Sequence, residues 1–184
     1  MAETIRLEVP TINDAQGDFD RLFALWQESY GYYQDVRFDF SSCRFLRPNA
    51  VAFLGGLARL IESRMGTVAF DWDSLHDTWV TTTITQNGFA GAFGHPCSSR
   101  SGETIPYRED RTEDSSGFLD YLTEHWLGRG WVHVSEMLRD AIVGKVWEIY
   151  ANAFEHSQSE IGLFSCGTHF KTKDELVLSV VDFG

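Results

Sequence analysis

Three polar residues in one stretch of the sequence have the types and the spacing to handle a metal-bound phosphate group. Glu148, Asn152 and His156 follow one another at intervals of four residues, so on an α-helix they form a single polar stripe. A carboxylate can orient or deprotonate a nucleophile, an amide oxygen can ligate Mg²⁺, and an imidazole can meet a phosphate. The alternatives are a solvated helix face for Glu148 and Asn152, and a residue that complements the helix dipole for His156.

The elements that must position this stripe are a long helix and the strand pair that follows it. The sequence predicts a helix that is capped near Ser135 and runs to about His156, and then strands at 161–170 and 175–182. The short polar link between the strands indicates an antiparallel hairpin. The second strand leads into Asp182-Phe183-Gly184, a triplet also found in protein kinases. We reject the kinase interpretation because the strand lysine and the H-R-D loop that it requires upstream are missing from the sequence.

The pattern E-x-x-x-N-A-x-x-H, followed by a hairpin that ends in D-x-G, resembles the N box and first glycine box of GHKL (Bergerat-fold) ATPases. That family includes anti-sigma-factor serine kinases, sensor histidine kinases, type II topoisomerases and heat-shock chaperones. The resemblance implies ATP and Mg²⁺ as cofactors, with Asn152 as the Mg²⁺ ligand and Glu148 polarising the attacking water or hydroxyl. It implies that His156 lies near the phosphates and that Asp182 bonds the exocyclic amine of adenine. Gly184 would let the backbone approach the base.

The N-terminal part of the chain resembles a second family. A strand at 36–40 is followed by a loop, by a helix from Asn49 to about Arg64, and by another strand at 67–72. This strand–loop–helix pattern resembles STAS-type anti-sigma-factor antagonists over roughly residues 30–94. The resemblance implies a phosphorylatable Ser or Thr at the start of the helix. Asn49 holds that place, and although Asn caps helices well, it cannot accept a phosphoryl group.

The composition limits the class of protein. A net charge of −12 over 184 residues argues against a nucleic-acid surface and against adhesion to anionic lipid, both of which need clustered Lys and Arg. No stretch approaches the ~18 apolar residues of a membrane span. Cys43, Cys97 and Cys166 form no C-x-x-C pair, which is typical of thiols in a reducing cytoplasm. We therefore expect a cytoplasmic protein with a regulatory protein partner, no nucleic acid and no membrane contact, and leave a homodimer open.

These observations predict an α/β (α+β) fold with two parts. We expect a small STAS-like sheet-and-helix domain at 1–94, a polar connector with a short helix at 95–130, and the N-terminal part of a Bergerat-type α/β sandwich at 131–184. The ATP-binding domain is expected to be truncated at Gly184, because its lid and later glycine boxes would follow that residue. Since the lid excludes water and holds phosphates, we expect the chain to be inactive without it.

Two functions from different classes remain at this stage. The leading interpretation is an ATP-binding signalling regulator whose longer parent hydrolyses Mg-ATP or phosphorylates a protein on Ser or Thr, and the intact Glu148 and Asn152 favour it. The rival is a non-catalytic STAS-like protein–protein interaction module in a partner-switching pathway, and Asn49 favours it. ATP-dependent work in a larger defence or repair assembly stays open as a third interpretation.

Overall fold

Three parallel strands and the helices between them form the N-terminal part of the fold. The computed structural model describes residues 4–98 and 102–184. Strands β1 (Ile5–Glu8), β2 (Asp35–Asp39) and β3 (Thr67–Asp71) pair in that order. Parallel neighbours need a crossover element, and the chain supplies helices α1 (Gln16–Glu28) and α2 (Pro48–Ser63) between them. Strands β2 and β3 and helix α2 agree with the sequence-based prediction to within one residue at each end.

The next segment differs in detail from the prediction. The sequence suggests a helix capped by Ser74, but helix α3 (Thr78–Gln86) begins later, with Asp77 as its cap. The Asp77 carboxylate accepts the backbone N–H of Trp79 at 2.9 Å. Ser74 does not cap this helix, because its hydroxyl accepts the backbone N–H of Phe40 at 2.8 Å. A short helix, α4 (Phe89–Ala92), follows α3.

Strand β4 (Thr104–Asp110) lies inside the segment predicted as a polar connector, so that part of the prediction is wrong. The charges that suggested a loop are paired: Arg108 donates to Asp110 at 2.7 Å, and Arg59 of α2 donates to Glu109 at 2.9 Å. Pro106 coincides with an irregularity in the pairing of β4 with the next strand. That placement is where a sheet tolerates proline.

The C-terminal part is an antiparallel sheet with helices on one face. Helix α5 (Ser115–Asp120) continues through a π-helical turn, and α6 (Glu136–His156) follows. Strands β5 (Leu163–Phe170) and β6 (Glu175–Asp182) then form the predicted antiparallel hairpin, and β4 pairs with the other edge of β5. The α/β class of the sequence analysis is therefore confirmed.

Helix α2 lies between the two sheets and joins them. It is buried nearly all round, and its neighbours include β3 on one side and β5 and β6 on the other. Phe164 and Cys166 of β5 belong to the same apolar core as the parallel sheet. The domain boundaries at 94 and 130 stay a prediction, and the shared core means that we expect both parts to unfold together. Among the described residues, no helix is long and apolar enough to span a bilayer.

Candidate functional site

Helix α6 is fixed by one cap and one aromatic anchor. The Ser135 hydroxyl accepts the backbone N–H of Leu138 at the first turn. Tyr150 is fully buried, and its ring stacks on Phe118 of α5 with ring centroids 3.8 Å apart. Its hydroxyl also accepts the backbone N–H of Asp114 at 3.0 Å. Burial raises the pKa of Tyr150 to about 12, so the phenol stays protonated at neutral pH. Tyr150 therefore sets which side of α6 faces away from the sheet.

The predicted polar stripe is on that outward side. Glu148, Asn152 and His156 all lie in α6, and all three are exposed. Successive members are ~6 Å apart along the axis at the normal helical rise. The expectation that this stripe does not pack into the core is confirmed. His156 is the last residue of α6, so its helix-end interpretation is compatible with the structure as well.

Glu148 already has a cationic neighbour. The ammonium of Lys145 lies 2.8 Å from its carboxylate, and both side chains are largely exposed. Exposed ion pairs of this kind contribute roughly 0–1 kcal/mol, so little free energy is needed to release Glu148 for another partner. The pair therefore leaves the carboxylate available to another partner.

The alternation of side chains along β6 indicates on which side of the sheet Asp182 lies. Leu176, Leu178 and Val180 belong to the core beneath α6, whereas Val181 and Phe183 pack into the core around α2. Because successive strand residues point to opposite faces, the alternation assigns Asp182 to the α6 side, and β6 ends at this residue. Its carboxylate also accepts the backbone N–H of Gly184 at 3.1 Å.

The end of β6 returns to the end of α6. A Cβ placed on Gly184 would overlap the backbone carbonyl of Ser157, the residue that follows His156. Only glycine permits an approach this close, so the residue type fits the position that the family resemblance gives it. The structure therefore brings the D-F-G triplet against the helix that carries the polar stripe.

The family resemblance implies that Asp182 and Asn152 open onto one cavity. The structure differs from this expectation. Asp182 and Gly184 line a cavity of about 310 Å³ whose other walls come from α1 and α2. Among the described residues that line it, Asn152 does not appear, but Asn49 does. Phe183 accounts for this difference, because its ring is anchored on the α2 side, 5.2 Å from the ring of Phe53.

A magnesium ion at Asn152 would need most of its ligands from outside the protein. In the described part of the chain, no group hydrogen-bonds the Asn152 amide, and no three His, Cys, Asp or Glu side chains are grouped to hold a metal. Mg²⁺ commonly takes one or two protein ligands and completes its shell with phosphate oxygens and water. The donor set therefore fits Mg²⁺ only as part of a nucleotide complex.

The STAS-like position also differs slightly from the prediction. Helix α2 begins with Arg47 as its N-terminal flanking residue and Pro48 as its first residue, an arrangement that proline favours. Asn49 is therefore inside the first turn rather than at the cap. Its side-chain oxygen accepts the backbone N–H of Ala50 at 2.8 Å.

Comparisons of the chain with protein families, with curated proteins and with solved structures find no match.

Two features of this region are not predicted from the sequence. In the D-x-G pattern Phe183 is the variable residue, yet in the structure it packs β6 against the N-terminal core. Helical spacing groups Phe19 and Phe23 with the apolar residues of α1, but both are about half exposed. No local pattern distinguishes them from the buried residues of that helix.

Proposed function

We propose that this chain carries the Mg²⁺-binding and adenine-binding residues of a histidine-kinase-like ATPase, within a signalling regulator. The observation that supports it most strongly is the contact of Gly184 with Ser157. Two motifs nearly thirty residues apart in sequence thereby meet at one end of α6. An exposed polar stripe and a glycine at a close approach are each common, and their meeting at one end of α6 supports the proposal although Asp182 and Asn152 line no common cavity.

In this proposal each residue has one task. The Asn152 amide oxygen ligates Mg²⁺, and Asp182 accepts the exocyclic amine of adenine. Glu148 leaves Lys145 and orients the attacking water or the hydroxyl of a protein substrate, while His156 lies near the phosphates. Mg²⁺ held by Asn152 and the phosphates would neutralise the charge that develops on the phosphates. Hydrolysis of ATP, or phosphorylation of Ser or Thr on a partner protein, is the activity that we propose for this type of site.

The test measures whether Asp182 recognises adenine. Saturation-transfer NMR on the 184-residue chain detects weak ligands, and we expect signals from the adenine protons of ATP that exceed those from the guanine proton of GTP. The change Asp182→Asn should reduce the ATP signal to the GTP level. The matched control is Asp174→Asn, which alters an exposed acid in the β5–β6 link at a positive φ that Asn tolerates. Equal ATP and GTP signals in the unaltered chain would refute the proposal.

The second candidate function is a STAS-like protein-interaction module. Asn49 in place of a phosphorylatable residue supports it, and so do the exposed aromatic side chains of α1. The two functions are compatible, because a regulator needs both a nucleotide site and a partner surface. Binding of a protein partner without any response to ATP would favour the interaction module.

The proposed compartment is the cytoplasm. Cys43, Cys97 and Cys166 are all free thiols, as expected where disulfides are kept reduced. The net charge of −12 supports a protein partner over nucleic acid, since phosphate contacts depend on clustered cations.

A further inference from the structure

Helix α1 and the loop after it expose an unusual concentration of aromatic side chains. We call this set the α1 aromatic surface, and its members are Phe19, Phe23, Trp26, Tyr30, Tyr32 and Tyr33. Five of the six are between 44% and 73% exposed, Trp26 being the partly buried one. Isolated exposed apolar residues are normal on soluble proteins, but contiguous apolar patches mark interaction sites.

Three of the members, Phe23, Trp26 and Tyr30, form a continuous strip. The ring centroids of Phe23 and Trp26 are 6.3 Å apart, and those of Trp26 and Tyr30 are 6.5 Å apart. The guanidinium of Arg64 lies over the Tyr30 ring at 4.4 Å, which holds that ring in place. Aromatic residues and Arg are the residue types that dominate binding energy at protein interfaces.

The strip borders two cavities that an apolar side chain could enter. One, of about 370 Å³, is lined by Phe23, Trp26, Gln27 and Tyr30. The other, of about 310 Å³, is the cavity with Phe53 and Phe183 in its wall, and it shares Phe23 and Trp26 with the first. Two adjacent pockets along one helix suit successive apolar anchors of a second helix, which recur at three or four residues.

The charges around the strip favour a basic occupant. Asp20 is exposed beside Phe19. In the described part of the chain its carboxylate has no cation within ion-pair distance. A second copy would carry the same net charge of −12 over the whole chain, and like charges oppose association.

We propose that the α1 aromatic surface docks an amphipathic, lysine- or arginine-rich helix of a partner protein. The partner's apolar residues would fill the first cavity and the α1 side of the second, and its cations would pair with Asp20. This inference goes beyond nucleotide binding and stands whether or not the chain binds ATP. It gives the regulatory partner of the proposed function a defined contact surface.

The experiment uses designed helical peptides as probes. A peptide that repeats Leu-Lys-Lys-Leu-Leu-Lys-Leu is titrated calorimetrically into the 184-residue chain, beside a peptide with Glu in place of every Lys and a Lys-rich peptide without Leu. We expect the basic amphipathic peptide to bind about tenfold more tightly than either of the others. Salt at about 0.5 M should weaken it, because exposed charges are then screened.

Three substitutions test whether the basic peptide binds at the α1 aromatic surface. Phe23→Ser keeps the net charge and should weaken the basic peptide about tenfold, the effect of removing one aromatic anchor. Asp20→Asn should reduce the salt dependence. Met137→Ser is the matched control, because it removes an exposed apolar side chain from α6 instead, and it should leave the affinity unchanged.

Three outcomes would overturn the inference. Equal affinity of Phe23→Ser and the unaltered chain would show that the peptide binds by charge alone. Equal affinity for the acidic peptide would remove the argument for a basic partner. A dimer that sedimentation detects in the unaltered chain and not in Phe23→Ser would assign the surface to a second copy. Failure of ATP binding in parallel titrations would leave the peptide result intact.

Discussion

The backbone of Gly184 lies against the carbonyl group of Ser157, with no room for a Cβ between them. This contact joins the end of β6 to the end of α6. The first consequence concerns Gly184→Ala, which should displace the D-F-G segment from α6. We expect amide NMR shifts at His156 and Ser157 and a loss of the adenine signal. An Ala variant with unchanged amides would show that the contact is not maintained in solution.

A second prediction concerns the glycine where α2 meets β4. A Cβ on Gly55 would overlap the ring of Tyr107, which is buried and whose hydroxyl donates to Glu109 at 3.0 Å. Helix propensity alone would make Gly→Ala stabilising by about 1 kcal/mol. Overpacking costs about 1–3 kcal/mol, so Gly55→Ala should be destabilising or at best neutral in urea unfolding.

The control for this change is Gly144→Ala in α6. Nothing lies within 4 Å of a Cβ at that position, so the variant should be more stable than the unaltered chain by about 1 kcal/mol. If Gly55→Ala gains as much stability as Gly144→Ala, the close packing of α2 on β4 is wrong. A single unfolding transition in all three proteins is expected, because α2 belongs to a core shared by both sheets.

A third prediction concerns the stability of the folded protein at low pH. The pKa of Asp39 falls to about 2, chiefly because its carboxylate accepts the backbone N–H of Ser41, with Arg6 assisting and burial opposing. The unfolded pKa is about 3.9. Since the folded value is the lower one, the carboxylate contributes stability above about pH 4, and that contribution is lost as the pH falls through about 2.

The measurement is urea unfolding between pH 5 and pH 2. The unaltered chain should lose stability over this window more steeply than Asp39→Asn, whose side chain does not titrate. Asp20→Asn removes an exposed acid and should keep the steep loss. Parallel pH profiles for the unaltered chain and Asp39→Asn would contradict the assignment.

A fourth prediction distinguishes the three thiols. Burial raises the pKa of Cys43 to about 12 and raises that of Cys166 as well, whereas Cys97 is exposed. The thiolate is the reactive form. In the folded protein an aromatic disulfide reagent should therefore titrate one thiol quickly and the other two only after unfolding. Rapid labelling that persists in Cys97→Ser would show that one of the buried thiols is accessible.

The parts of the fold that local sequence determines could be predicted. A cap at Ser135 and a repeat of apolar residues fix α6, and alternation with a short polar link fixes the β5–β6 hairpin. Strand β4 could not be predicted this way, because its charges are satisfied by partners distant in sequence. Arg59, which pairs with Glu109, lies fifty residues upstream.

The site could be predicted only in its order along the chain. Spacing places Glu148, Asn152 and His156 on one face of a helix, and the structure agrees. The position of Asp182 relative to that helix face depends on its neighbour Phe183. The ring centroid of Phe183 lies 5.8 Å from that of Trp26 in α1. No local pattern reveals that contact, because it depends on how two sheets share α2. The exposure of Phe19 and Phe23 escaped prediction for the same reason.

The most direct test of the nucleotide site is protein-observed NMR of the 184-residue chain with Mg-ATP. The account predicts saturable amide shifts confined to 148–157 and 182–184, part of which disappears when EDTA removes Mg²⁺. In Asn152→Ala the Mg²⁺-dependent part should be lost, whereas Asn13→Ala, an exposed Asn far from α6 in sequence, should behave as the unaltered chain does. Shifts that avoid α6, or a Mg²⁺ dependence that survives in Asn152→Ala, would contradict it.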